Sequence, residues 1–317
     1  MSKKEEAEYE EYESLKNSKF KQQKLPGWRP VPSMVRTIII YFGLGIVFVG
    51  LGVLILLFSN EIVEYPKQYC ETILENNKCP DITFEVKKTM KQNIMVYYEL
   101  DGFYQNHRRY MKSRSDKQLQ GKEIIRKEAE EACFPVITNG DMGKDNQIAI
   151  DANTVLNKDD VAIPCGLMAK SFFNDEFHFF NDKGEEIKVN QNNISRKSDR
   201  EKFKNVNITK QWIDIENEHF IVWMRPSPLP NFRKLWGRIE TQIDAGTNIK
   251  VEITNNYDVS KLIPTPEAKK YLIITTVNSF GGKNTFLAIG CLILGGICII
   301  LGIIFFIGFK IRAKKEK

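Results

Sequence analysis

Thr37–Ser59 reads TIIIYFGLGIVFVGLGVLILLFS, 23 residues without one Asp, Glu, Lys, Arg or His. A helix needs about 20 such residues to cross the hydrocarbon of a bilayer, whereas apolar core segments usually stop near 14. A second run, Asn284–Phe309 (NTFLAIGCLILGGICIILGIIFFIGF), has 26 residues and is equally free of charge. These two runs decide the fold class, a membrane protein with two transmembrane helices. They also correct the whole-chain averages of 317 residues and a mean hydropathy of -0.33, which would suit a soluble protein.

The charge is just as unevenly placed. Residues 1–36 carry 8 basic and 6 acidic side chains, residues 310–317 carry 5 and 1, and the segment between them holds 33 of each. The net charge of +6 therefore belongs to the tails, and the neutral middle lacks the basic face that nucleic-acid binding requires. The first run is too long for a signal-peptide core and no small-residue cleavage pattern follows it. Lys19, Lys21, Lys24, Arg29 and Arg36 precede it, while Glu61, Glu64, Glu71 and Glu75 follow. Lys310, Arg312, Lys314, Lys315 and Lys317 follow the second run. Positive-inside bias then predicts a cytosolic tail at 1–36, transmembrane helices at 37–59 and 284–309, a lumenal or extracellular domain at 60–283, and a second cytosolic tail at 310–317. The glycines of both runs either permit close helix approach or simply face lipid.

Within the loop lie Cys70, Cys79, Cys133 and Cys165, an even set in a compartment that favours oxidation. Four cysteines allow three connectivities, of which the sequence-local pairs Cys70–Cys79 and Cys133–Cys165 are the simplest. A zinc site is the rival reading. The C-x8-C spacing is wrong for a zinc knuckle, and His107, His178 and His219 lack ligand spacing. Asn193-Ile-Ser195 and Asn207-Ile-Thr209 are N-glycosylation sequons in a polar stretch.

Residues 94–100, 219–224, 249–253 and 271–277 are predicted as strands, with turn signals at Asp258, Pro264 and Pro266. Residues 106–119 and 121–132 read as helices, and residues 1–24 as disordered. The expected loop domain is a large α+β ectodomain, mainly antiparallel β-sheet with helical decorations and disulfides.

Catalytic chemistry finds no footing in this pattern. Asn139-Gly-Asp-Met-Gly-Lys144 has only two residues between its glycines, and Asp145 stands where a phosphate-binding loop needs Ser or Thr for magnesium. Asp182-Lys183-Gly184 lacks the Thr of a pump's phosphorylation motif. There is no G-x-S-x-G, and the membrane runs hold no Asp, Glu, Lys, Arg or His with which a pump could translocate its cargo alone. No catalytic, metal or cofactor residues are assigned. What stands out is aromatic and basic sequence: Gly102–Arg114 (GFYQNHRRYMKSR), Trp223-Met-Arg-Pro226 and Phe232-Arg-Lys-Leu-Trp236. Such pairs serve either internal packing or a protein interface.

These segments resemble the CDC50/Lem3 family, accessory β-subunits of P4-type lipid-flipping ATPases. The resemblance runs from Leu25-Pro-Gly-Trp-Arg-Pro30 through Phe103–Tyr110, Lys112-Ser-Arg114, Pro164-Cys-Gly-Leu-Met-Ala169, Phe173-Asn-Asp175, Trp223–Pro226, Phe232–Leu235 and Asn256-Tyr-Asp-Val259 to Gly281–Leu287. It implies a non-catalytic subunit that forms a heterodimer with a P4-type ATPase amid membrane lipids, needs no cofactor, and supports ATPase folding, export from the endoplasmic reticulum and phospholipid translocation to the cytosolic leaflet. The expected residence is the endoplasmic reticulum, Golgi, endosome or plasma membrane. The resemblance also implies that Cys165 pairs upstream, with Cys133, and leaves Cys70–Cys79 less constrained. Lys170 replaces an Asn usual in relatives. Glu176 replaces the Thr that would make Asn174 a sequon, so Asn174 is expected to be unglycosylated. The alternative from another class is a subunit of a two-helix ligand-gated or sodium-type ion channel; an ectoenzyme is a third.

Overall fold

The apolar runs form helices Met34–Glu61 and Thr285–Lys315, both longer than the uncharged segments that predict them. Arg36 at one end and Lys310, Arg312, Lys314 and Lys315 at the other are good helix formers, and the backbone ladder continues through them. The computed structural model describes residues 12–24, 27, 33–70, 79–91, 93–143, 148–257, 268–278 and 281–315. Leu25–Pro30 apart from Gly27, the turn signals Asp258, Pro264 and Pro266, Val259, and the acids Glu71 and Glu75 lie outside these residues. So do Lys144 and Asp145 of the rejected phosphate loop. Residues 12–17, expected to be disordered, are helical, with Asn17 Nδ2 donating to Glu13 at 3.2 Å.

The chain divides into two compact units, Met1–Leu56 with Phe286–Lys317, and Leu57–Thr285. In the first, the two long helices meet through glycine. A Cβ on Gly295 would sit 2.8 Å from the Val49 backbone nitrogen, and one on Gly45 would sit 2.6 Å from Ile299 Cγ1. Gly43, Gly50 and Gly290 have nothing within 4 Å, so they face away from this contact. Tyr41 and Phe305 add a ring contact at 5.4 Å between centroids.

The second unit carries two antiparallel sheets. The larger has the order β1 (Glu64–Tyr69), β8 (Lys269–Thr275), β3 (Ile94–Asp101), β6 (Phe232–Ile239), β5 (Val189–Asn190). The smaller has β2 (Ile82–Glu85), β7 (Asn248–Thr254) and β4 (Glu176–Phe180). Strict alternation explains β7, in which Ile249, Val251 and Ile253 are buried and the intervening residues exposed. Both sheets feed one core that includes Phe84, Val96, Tyr98, Phe177, Phe179, Leu272 and Ile274. A separate small cluster of Ala129, Cys133, Val136, Met142, Ala162 and Cys165 fills the disulfide-tied lobe.

Three sequence expectations need correction. Residues 219–223 of the strand expected at 219–224 are helical instead, within Glu218–Trp223, and Met224 caps that helix, because Asn217 Oδ1 accepts the His219 N–H at 2.8 Å and so starts a helix before a β-branched pair. The segment 106–119 is two short helices, Arg108–Lys112 and Asp116–Leu119, broken where Ser113 turns inward. The helix expected at 121–132 begins only at Arg126 and runs to Cys133, since Gly121 has φ +82° and the Glu128 carboxylate accepts the Ile125 N–H at 3.4 Å.

Candidate functional surface of the ectodomain

The aromatic and basic segment at 102–114 divides its side chains between two roles. Phe103 is buried and packs edge-on against Tyr110 (5.7 Å), Trp223 (5.6 Å) and Phe232 (6.2 Å). Gln105 is fully buried and accepts the Ser227 N–H at 3.0 Å. The Tyr110 hydroxyl meets Ser171 Oγ at 2.7 Å, and burial holds that phenol well above its ordinary pKa. Three aromatic motifs distant in sequence thus share one packing centre. Tyr98 stacked on Phe173 at 3.8 Å and Tyr257 at 5.9 Å from Trp223 extend it.

Tyr104, Arg108, Arg109, Met111 and Lys112 of this segment point outward. Tyr104 and Met111 are 56% and 41% exposed, and Arg108, Arg109 and Lys112 are exposed with no ion pair among the described residues. Asn106 Nδ2 donates to Pro228 O at 2.7 Å, which sets exposed Leu229 beside them. A stripe of cations interleaved with apolar side chains, on a rigid backing, suits a protein partner.

Ser113 joins this segment to the disulfide-tied lobe. Its Oγ donates to Cys133 O at 2.8 Å and accepts the Leu167 N–H at 2.9 Å. Gln118 completes the joint: Nε2 donates to Ala162 O at 3.0 Å and Oε1 accepts the Cys165 N–H at 2.9 Å. Gly166 has φ +104°, and a Cβ there would collide with the Ser113 carbonyl. That is why the Pro164-Cys165-Gly166 triplet ends in glycine. Cys133 is bonded to Cys165, and Cys70 to Cys79.

Asp175 is a buried carboxylate with four hydrogen-bond donors around it. It accepts from Lys270 Nζ (2.7 Å), the Tyr69 hydroxyl (2.9 Å), and the backbone N–H groups of Asn256 (2.8 Å) and Tyr257 (2.7 Å). Lys270 also donates to Asn255 Oδ1 at 2.6 Å and Tyr257 O at 2.8 Å. Burial first, and then the Asp175 charge, push the Tyr69 phenol far above its usual pKa, so it stays a donor. The network ties β1, β8 and the segment after β7 to the Phe173-Asn-Asp175 motif. Sequence reasoning missed it because Lys270 lies in an ordinary strand and nothing local marks its partner.

The histidines are dispersed. His107 is exposed, His178 Nδ1 lies 3.5 Å from Glu186, and His219 packs against Trp236 with centroids 5.8 Å apart. Burial lowers the His219 pKa, opposed by the Glu218 charge. Among the described residues no three His, Cys, Asp or Glu side chains come together as metal ligands. Both sequons are on the ectodomain surface: Asn193 is exposed and Asn207 half-buried. Asn174 offers its carbonyl to Asn256 Nδ2 at 3.1 Å.

This geometry, two apolar helices bracketing an antiparallel ectodomain whose motifs meet inside it, accompanies a family match over nearly the whole chain. The pattern of the LEM3 (ligand-effect modulator 3)/CDC50 family matches residues 3–315. The chain belongs to the CDC50 family. It is 34% identical over 334 residues to ALA-interacting subunit 3 of Arabidopsis thaliana, covering 95% of this chain and 87% of that protein. It is 32% identical over 338 residues to cell cycle control protein 50A of Mus musculus, covering 91% and 87%. Cell cycle control protein 50B of Homo sapiens matches at 28% over 341 residues, covering 91% of each chain. As a CDC50 protein with two helices of mean hydropathy 2.7 and 2.9, the chain is an integral membrane protein.

Proposed function

We propose that this CDC50 chain is the non-catalytic subunit of a P4-type ATPase heterodimer, required for the ATPase to fold, to leave the endoplasmic reticulum and to move phospholipid to the cytosolic leaflet. The observation that carries this reading is its similarity, over nine-tenths of its length, to a plant protein named as an ALA-interacting subunit. The outward stripe of Tyr104, Arg108, Arg109, Met111 and Lys112 is the partner-facing surface of the ectodomain. The helices carry no Asp, Glu, Lys, Arg or His within residues 37–59 and 284–309, which suits a supporting role beside a translocating protein. Both tails lie in the cytosol and the ectodomain in the lumen or outside the cell, where the two disulfides persist and Asn193 and Asn207 are glycosylated.

Purification of the tagged full-length protein from its own cells, with mass spectrometry of what accompanies it, tests the reading. A P4-type ATPase in near-equal amount supports it. A fully active, normally exported flippase after deletion of the chain and its paralogues overturns it. A cation current from bilayers holding this protein alone would instead favour the channel alternative.

A further inference from the structure

Thr209, the third residue of the Asn207-Ile208-Thr209 sequon, lines a cleft of about 540 Å3. That volume is ordinary for a site that takes a small ligand, roughly 300–1,000 Å3. Ile124, Val155 and Leu156 give the cleft an apolar wall, and Lys210, paired with Glu123 at 3.0 Å, forms part of its polar edge. Val155 is 76% exposed, and Ile148, bridged opposite it, is 57% exposed. Apolar exposure gathered beside a concavity marks a surface that is covered in the working protein.

Two further observations specify the cover. Asn139 lines the cleft at 1% exposure, its Nδ2 donating to Asn157 O at 2.9 Å while its Oδ1 has no partner among the described residues. A buried amide oxygen of this kind calls for a donor. The sequon is also fixed in place. Fully buried Gln211 accepts the Val206 and Asn207 N–H groups through Oε1 (3.0 and 3.2 Å), and its own carbonyl accepts the Ile150 N–H at 3.1 Å. Asn207 Oδ1 is held by the Thr209 N–H and hydroxyl at 3.0 and 2.8 Å, whereas Nδ2, the atom that receives sugar, has no partner among the described residues.

We propose that the first sugars of an N-glycan on Asn207 lie in this cleft, the C–H faces of the pyranose rings against Val155 and Leu156 and a hydroxyl or acetamido N–H donating to Asn139 Oδ1. The inference rests on glycosylation of Asn207 as proposed above. In that reaction the Asn207 Nδ2–C1 bond forms, the C1–O bond to a lipid-linked diphosphate donor breaks, the lipid diphosphate departs and Nδ2 loses one proton. Asn193 differs. Its Oδ1 is engaged by Arg200, its neighbours Ile194 and Ser195 are buried, and none of the three lines this cleft.

The test is hydrogen exchange over residues 148–157 in the full-length folded protein, before and after enzymatic removal of its glycans, with glycopeptide mass spectrometry at Asn207. The proposal expects exchange to rise about threefold or more on removal, as for loss of local protection. Thr209→Ala should behave like the deglycosylated protein and Asn193→Gln like the untreated one. A bare Asn207 overturns both the glycosylation and this inference. An occupied Asn207 with unchanged exchange overturns the inference alone. Slowing on addition of a protein partner, in place of any glycan effect, would assign the cleft to that partner.

Discussion

Lys270 Nζ and Asp175 Oδ2 lie 2.7 Å apart with side chains 8% and 0% exposed, and each is satisfied by further partners. Removing one charge strands the other where water cannot reach it.

Asp175→Asn or Lys270→Met is therefore expected to destabilise the ectodomain by about 3–5 kcal/mol. The double substitution should cost less than the sum, because no unpaired charge remains. Thermal unfolding of the purified protein measures both; an additive result would show that the two residues act independently.

Lys234 gives a pH dependence. The residue is 7% exposed, and its ammonium donates to Val222 O at 3.1 Å and to Arg225 O, with no carboxylate among those partners. Burial, aided by the Arg225 charge, lowers its pKa from 10.5 to about 7. Between those values the unfolded chain binds more protons than the folded one, so this group makes stability rise as pH increases from about 7 toward 10.5. Lys234→Met should flatten that rise, as read from melting temperatures across the interval. An unchanged slope would mean that Lys234 is not its source.

The disulfides should differ in consequence. Closing the 32-residue separation of Cys133–Cys165 restrains the unfolded chain by about 3.7 kcal/mol, against about 2.7 for the 9-residue separation of Cys70–Cys79. The first also anchors Ser113, which binds Cys133 O. Cys133→Ser should retain the protein in the endoplasmic reticulum, with Cys70→Ser the milder lesion. Glycan maturation on a blot reports export, and equal export of both variants would contradict the ranking.

Glycine positions in the long helices offer a matched pair. Gly295→Val should loosen the helix contact, because the Val49 and Gly45 backbones leave no room for a side chain. Gly290→Ala should leave it intact. Cross-linking yield between cysteines placed at positions 41 and 305 would separate the two. A loss in both variants would refute the assignment of faces.

Legibility in the sequence followed range. The helices 34–61 and 285–315 were readable because hydrocarbon demands an uninterrupted apolar run, and β3, β7 and β8 because alternation or β-branching is local. β6 was not recognised as a strand: Arg233, Lys234, Gly237 and Arg238 mask its periodicity, and its pairing with β3 comes from more than 130 residues away. β1 was hidden by Pro66, which is tolerated because the strand is at a sheet edge. The motifs at 103–114, 164–175, 223–236 and 256–257 were visible as motifs. Their convergence around Phe103, Trp223 and Asp175 needed the fold.

The position of β8 has a consequence for biosynthesis. It lies between β1 and β3, pairing Glu64 with Thr275 and Met95 with Thr275, yet it is the last strand of the ectodomain to be synthesised. While the ribosome is still making residues before 269, β1 and β3 each present an unsatisfied hydrogen-bonding edge. A chain cut short there carries two adhesive borders and no way to close them, so the nascent ectodomain stays open to mispairing until residues 269–275 arrive.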